Sequence, residues 1–119
     1  MKLSHITISV KDLEKSVQFY RDIIGLPVGR RFASGESEIV FLGDGDTEIE
    51  LIYNSDNANV AFDASISLGF QVASLSDTIA FLAENGIAVG DVIQPNPGVK
   101  FAFTKDPSGL SVQFVEQIG

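Results

Sequence analysis

The chain has 119 residues, the length of one ordinary domain, and its 45% hydrophobic and 20% charged residues exclude a disordered chain. Sixteen acidic and eight basic residues give a net charge of -8, which disfavours nucleic acid and membrane surfaces as partners. The chain has no cysteine, so disulfides and thiolate catalysis are excluded, and a cytoplasmic location is expected.

The first half of the chain opens with a predicted strand, because residues 5–10 alternate polar with apolar side chains. A helix capped by Asp12 is predicted next, and Gly25 is placed to end it in a left-handed conformation. The apolar positions with helical spacing are Leu13, Val17, Tyr20, Ile23 and Ile24. Three short strands are predicted after this helix, at Val28–Phe32, Glu38–Leu42 and Glu48–Tyr53.

The second half repeats this order, with residues 67–72 matching residues 5–10 at an offset of 62. Ser74 and Asp77 resemble a capping box at the start of a helix, and Gly86 is placed to end it. The strands predicted after it are Ile87–Val92, Phe101–Lys105 and Leu110–Glu116, with turns at residues 95–98 and 106–109. The sequence therefore predicts an α+β domain, residues 1–119, with a βαβββ module at about 1–53, a linker at about 54–64 and a second module at about 65–119.

The alternation of side chains along the strands predicts one polar face in each module. In the first strand His5, Thr7 and Ser9 share a face, and the apolar residues between them face the helix. Glu48 and Glu50 share a face of a later strand in the same way. Such a face would line a pocket inside a curved sheet, and on an open sheet it would simply face water.

Four segments of the chain resemble the vicinal-oxygen-chelate superfamily, which includes glyoxalase I, bleomycin-resistance proteins and extradiol dioxygenases. These segments read HITISVKDL at 5–13, FYRDIIGL at 19–26, IELIYN at 49–54 and DPSG at 106–109. The resemblance covers nearly the whole chain and is closest to glyoxalase I. It implies two βαβββ modules whose eight strands form a curved cup covered by helices, a small molecule or metal inside the cup, and a homodimer.

The resemblance also implies a metal site with one ligand on the first and last strand of each module. Carried over by position, these ligands are His5, Glu50, Ser67 and Gln113. Gln113 stands where a glutamate is usual and Ser67 where a histidine is common. The implied cofactor is therefore one weakly held divalent metal, Ni²⁺, Zn²⁺ or Mg²⁺.

The same residues have simpler interpretations that the sequence leaves open. His5 can be a hydrogen-bonded histidine at the start of a strand, and Glu50 a solvated carboxylate beside Glu48. Asn54 matches the asparagine that contacts glutathione in glyoxalase I and is therefore an expected substrate-binding residue. Thr7 is the second residue expected to bind substrate. If the protein is an enzyme, Glu50 is its catalytic base, because the amide at position 113 accepts no proton at neutral pH.

Two classes of function remain. The single histidine disfavours a dioxygenase, whose iron needs two histidines and a carboxylate. The first class is a glyoxalase I-like lyase or isomerase, in which a base removes the carbon-bound proton of a thiohemiacetal. The alternative is a metal-free protein of the bleomycin-resistance type that sequesters a cationic small molecule, which suits an acidic chain.

Overall fold

The computed structural model describes residues 1–118, apart from the side chain of residue 58. In that range the elements follow the order βαβββ twice, so the predicted α+β fold with two such modules is confirmed. The strands are β1 His5–Ser9, β2 Val28–Ser34, β3 Ser37–Leu42, β4 Glu48–Tyr53, β5 Ser67–Gln71, β6 Ile93–Asn96, β7 Val99–Lys105 and β8 Ser111–Gln117. The helices are α1 Leu13–Gln18, which a π-helical turn at Phe19–Ile23 extends, and α2 Leu75–Glu84.

The chain divides into two compact units, called here unit 1, Met1–Ala61, and unit 2, Phe62–Gly119. The sheet of unit 1 has the strand order β1-β4-β3-β2, and the sheet of unit 2 has the matching order β5-β8-β7-β6. In each unit the first and last strands pair in parallel and the remaining pairs are antiparallel. None of the described helices is long and apolar enough to span a bilayer.

Local sequence signals set the ends of both helices as predicted. The Asp12 carboxylate and the Ser74 hydroxyl each accept a hydrogen bond from the backbone N–H three residues ahead, at 3.1 and 3.2 Å. Gly25 and Gly86 follow the helices with φ of 91° and 74°, a left-handed conformation in which a side chain would be strained.

The two faces of the unit 1 sheet divide as the alternation predicts. Across β1 and β4, His5 lies opposite Glu48 and Thr7 opposite Glu50. The intervening side chains point to the other face and are buried there, among them Ile8, Ile49 and Leu51. The apolar side chains form the buried face of this sheet, and the polar side chains therefore lie together on its opposite face.

The prediction of a strand at Ile87–Val92 is wrong. The strand lies further along the chain at β6, and the turn that joins it to β7 is confined to Pro97 and Gly98. The Asn96 side chain accepts a hydrogen bond from the Gly98 N–H at 2.7 Å and fixes this turn. Pro95, expected in the turn, fits within β6 because β6 is an edge strand, where a missing N–H need not break the ladder.

The segment Asn54–Ala64, expected as a linker without regular structure, contains a 3-10 helix at Ser55–Asn59. The short helix starts at Asn54, whose side-chain oxygen accepts a hydrogen bond from the Asp56 N–H at 2.9 Å. An Asx cap of this kind is a local signal that hydrophobic periodicity does not reveal.

Candidate functional site

Glu50 lies at the centre of a polar cluster on the sheet of unit 1. The Thr7 hydroxyl donates a hydrogen bond to Glu50 Oε1 at 2.5 Å, and His5 Nε2 lies 3.7 Å from the same oxygen. The Glu50 side chain is 15% exposed, against 41% for His5. A 2.9 Å hydrogen bond joins Ser4 Oγ and His5 Nδ1, which helps to orient the imidazole ring. The structure therefore brings together three of the residues that the sequence singled out.

An aromatic ring and a guanidinium complete this face. Phe41 on β3 pairs with Glu50 on β4, and the His5 ring meets the Phe41 ring edge-on, with centroids 5.6 Å apart. Arg30 on β2 places its guanidinium carbon 4.1 Å from the centre of the Phe41 ring, which is cation–π geometry. Arg30 also lies 3.6 Å from a Glu48 carboxylate oxygen. Glu48 therefore has a cationic partner, whereas Glu50 is held by a hydroxyl and an imidazole.

Sequence reasoning missed the position of Phe41 and Arg30. Thr7, Glu50, Phe41 and Arg30 form one row across the four strands. Alternation gives the face of each side chain along its own strand, but the row depends on the pairing between strands. No local signal in the sequence gives that pairing.

The residue next to Arg30, Arg31, does not belong to this site. Arg31 follows Arg30 on β2 and therefore points to the other face, where its guanidinium pairs with Glu14 near the start of α1. This hydrogen bond lowers the pKa of the Glu14 carboxyl, although both side chains stay largely solvated. Of the two arginines, only Arg30 adds charge to the Glu50 face.

Asn54, carried over as a substrate-binding residue, makes local contacts at the end of β4. Its side-chain oxygen caps the 3-10 helix, and its Nδ2 donates a hydrogen bond to Ser37 Oγ at 3.3 Å. These contacts orient the side chain and tie it to β3. A role for Asn54 in substrate binding stays a prediction.

Unit 2 has the same register as unit 1 but different chemistry. Ser67 pairs with Ser111 and Gly69 with Gln113, so Ser67 and Gln113 occupy the places that His5 and Glu50 have in the first sheet. The Gln113 side-chain oxygen lies 3.2 Å from the point where a Cβ on Gly69 would stand. Because Gly69 has no side chain, the Gln113 amide can lie over Gly69 on this face of the sheet.

The residues present do not fit the four-ligand metal site that the resemblance implies. His5 and Glu50 are strong ligands for a divalent ion, whereas a hydroxyl and an amide are weak and neutral. Among the described residues, no group of three or more histidine, aspartate and glutamate side chains could hold a metal. Protein zinc sites ordinarily use at least three strong ligands, so this donor set favours weak binding at most.

Comparison with known proteins shows where this chain belongs. Residues 2–114 match the family model described as Glyoxalase/Bleomycin resistance protein/Dioxygenase superfamily. A lactoylglutathione lyase from Neisseria meningitidis serogroup A is 27% identical, over 98% of this chain and 91% of that protein. Among solved structures, a trypanothione-dependent glyoxalase I from Leishmania major is similar in fold, with a TM-score of 0.84 and 24% identity over 98% of this chain and 86% of that one. An antibiotic-binding protein from Streptomyces has the same fold, with a TM-score of 0.78 and 19% identity over 98% and 96%.

The family match spans both units, and the observed strand order agrees with the βαβββ modules that the sequence motifs predicted. The predicted superfamily is thereby confirmed. The likeness in fold alone would not distinguish an enzyme from a binding protein, since a glyoxalase I and an antibiotic-binding protein are both among the similar structures. This chain is a member of the glyoxalase, bleomycin-resistance protein and dioxygenase superfamily.

Proposed function

We propose that this protein is a glyoxalase I-like protein that binds a small molecule over the polar face of unit 1, with Glu50 as the general base of a lyase or isomerase reaction. The observation that carries the proposal is the contact of Glu50 with both Thr7 and His5 on this face. A carboxylate that is oriented by a hydroxyl donor and lies close to an imidazole is well placed for proton transfer. Relatives at 27% identity that are named lactoylglutathione lyases support this choice of chemistry.

The proposed step is a proton transfer within the bound substrate. The Thr7 hydroxyl occupies Oε1 of Glu50, so Oε2 is the oxygen that takes the carbon-bound proton of a thiohemiacetal. Returning that proton to the adjacent carbon, while the hydroxyl proton passes from the first oxygen to the neighbouring one, completes an isomerisation in which no atom is gained or lost. His5 Nε2 lies 3.7 Å from Glu50 Oε1, and in this proposal the imidazole contacts the substrate oxygen that becomes negative.

The weak metal ligands at positions 67 and 113 limit the rate of this reaction. Glyoxalase I-like chemistry builds negative charge on vicinal oxygens, and strong stabilisation of that charge normally comes from fixed donors or a metal. Because Ser67 and Gln113 are weak ligands, we expect the native chain to hold a divalent metal weakly and to form little lactoylglutathione.

A second candidate function is metal-free sequestration of a cationic aromatic molecule. Phe32 and Phe41 lie nearly parallel, with ring centroids 6.2 Å apart and 14° between their planes, and Phe32 is 43% exposed. Planar ligands stack on such rings, and the nearby Glu48 and Glu50 carboxylates favour a positive charge. The net charge of -8 also favours binding of a cationic ligand.

Calorimetric titration with two ligands distinguishes these candidates. S-lactoylglutathione is expected to bind the native chain and to perturb the amide NMR signals of β1 and β4, because these strands hold Thr7 and Glu50. Binding of bleomycin without binding of S-lactoylglutathione would favour sequestration. If neither molecule binds, both candidate functions are contradicted.

We also propose that the protein forms a homodimer, as the family resemblance implies. Sedimentation velocity at micromolar concentration should then show a species of twice the 12.8 kDa chain mass. A dilution series gives the dissociation constant and serves as the control for nonspecific association. A single 12.8 kDa species throughout the series would contradict the dimer.

A further inference from the structure

The polar face of unit 2 carries a lysine among neutral side chains. Lys105 on β7 lies opposite Ser111 on β8, and its ammonium donates a hydrogen bond to the Ser111 hydroxyl at 3.0 Å. Ser111 and Gln113 stand where Glu48 and Glu50 stand in unit 1. The internal repeat therefore presents two carboxylates in one unit and a lysine beside neutral side chains at the corresponding face of the other.

Among the described residues, Lys105 forms no ion pair with a carboxylate. The ion pairs of the described residues all lie in unit 1. Asp106 is next in sequence, but it is 4% exposed and its carboxylate accepts hydrogen bonds from the Ser108 and Leu110 N–H groups at 2.8 and 2.9 Å. In a chain with twice as many acidic as basic residues, an ammonium beside neutral groups is a local site for an anion.

A groove with a volume of about 630 Å³ runs beside this lysine. It is lined by Ala88, Val89, Gly90, Phe103, Thr104, Lys105 and Ser111. Residues 88–90 form one wall of the groove and are held against β7 by two hydrogen bonds. The Gly90 N–H donates to the Phe103 carbonyl at 2.9 Å, and the Thr104 hydroxyl donates to the Ala88 carbonyl at 2.7 Å. Apolar walls with a few polar groups, at this size, are typical of small-molecule sites.

We propose that this groove binds the carboxylate of a small organic acid. Lys105 supplies the charge, the Ser111 hydroxyl a second donor, and Phe103 an aromatic edge beside the apolar part of the acid. The inference concerns unit 2 alone and does not rest on the function proposed for Glu50.

Benzoate and benzamide are the probes, because they share a ring and a similar shape and differ in charge. In amide NMR titrations at constant ionic strength, benzoate is expected to shift signals of residues 88–90, 103–105 and 111 in a saturable manner. Benzamide should bind about tenfold more weakly, since it cannot form the charge-assisted contact. Equal shifts by both probes, or benzoate shifts confined to unit 1, would overturn the proposal.

Three variants identify the group responsible. Lys105→Met should weaken benzoate binding about tenfold through loss of the charge-assisted contact. Lys100→Met is the matched control, because Lys100 lies on the same strand but borders a different groove, with Leu75 and Ile79; binding should stay within about twofold. Glu50→Gln should leave benzoate binding unchanged, which separates this site from the one proposed in unit 1. Native affinity in a folded Lys105→Met variant would contradict the assignment.

Discussion

The double substitution Ser67→His and Gln113→Glu is expected to raise the affinity for Ni²⁺ by about a hundredfold or more. The native positions offer one imidazole and one carboxylate, and the variant would offer two of each at the places that the family resemblance implies. Loss of a single outer-shell partner already costs roughly 10–100-fold in metal affinity, so two added ligands should have at least that effect.

Calorimetric titration of Ni²⁺ and Zn²⁺ into the native chain, both single variants and the double variant measures this gain. The single variants are the controls and should bind with intermediate affinity. Turnover need not return with the metal, because groups that orient the new ligands are absent from the native sequence. A double variant that folds yet binds metal no more tightly would show that the four positions do not act together, and the metal site carried over from the family would be wrong.

The substitution Glu50→Gln is expected to slow proton transfer by about 10²–10⁴-fold, the usual contribution of a positioned general base. The amide keeps the size of the side chain and can still accept the hydrogen bond from Thr7, but it takes no proton at neutral pH. The measurement is exchange of the carbon-bound proton of a glutathione thiohemiacetal in D₂O, followed by ¹H NMR. The predicted change is in the rate constant, with little change in the apparent affinity for substrate.

The matched control for this prediction is Glu48→Gln. Glu48 lies on the same face and strand, two residues away, but it pairs with Arg30 rather than with Thr7 and His5. Loss of this partly exposed ion pair should change the exchange rate by no more than about threefold. If the two substitutions slow exchange equally, the slower rate results from the loss of negative charge on the polar face of unit 1. An unchanged exchange rate in Glu50→Gln would show that Glu50 is not the base.

The two modules, the ends of the helices and the polar face of unit 1 were all predictable from the amino-acid sequence. Each of these follows from interactions between residues close in the chain. Alternation along β1 placed His5 and Thr7 on one face, and the Asp12 and Ser74 side chains marked where the helices begin. The offset of 62 residues between the halves corresponds to the equal strand orders of the two sheets.

Strand pairing in the folded chain places Phe41 and Arg30 beside Glu50, and Lys105 beside Ser111, and the sequence did not predict it. Pairing depends on backbone hydrogen bonds between distant residues, so the period of two fixes the face of a side chain but not its neighbour across the sheet. The same limit explains the misplaced strand, because the run Ile87–Val92 has strand-like composition while the pairing with β7 begins at Ile93. The contrast between the carboxylates of unit 1 and the lysine of unit 2 likewise depends on the strand pairing in each sheet.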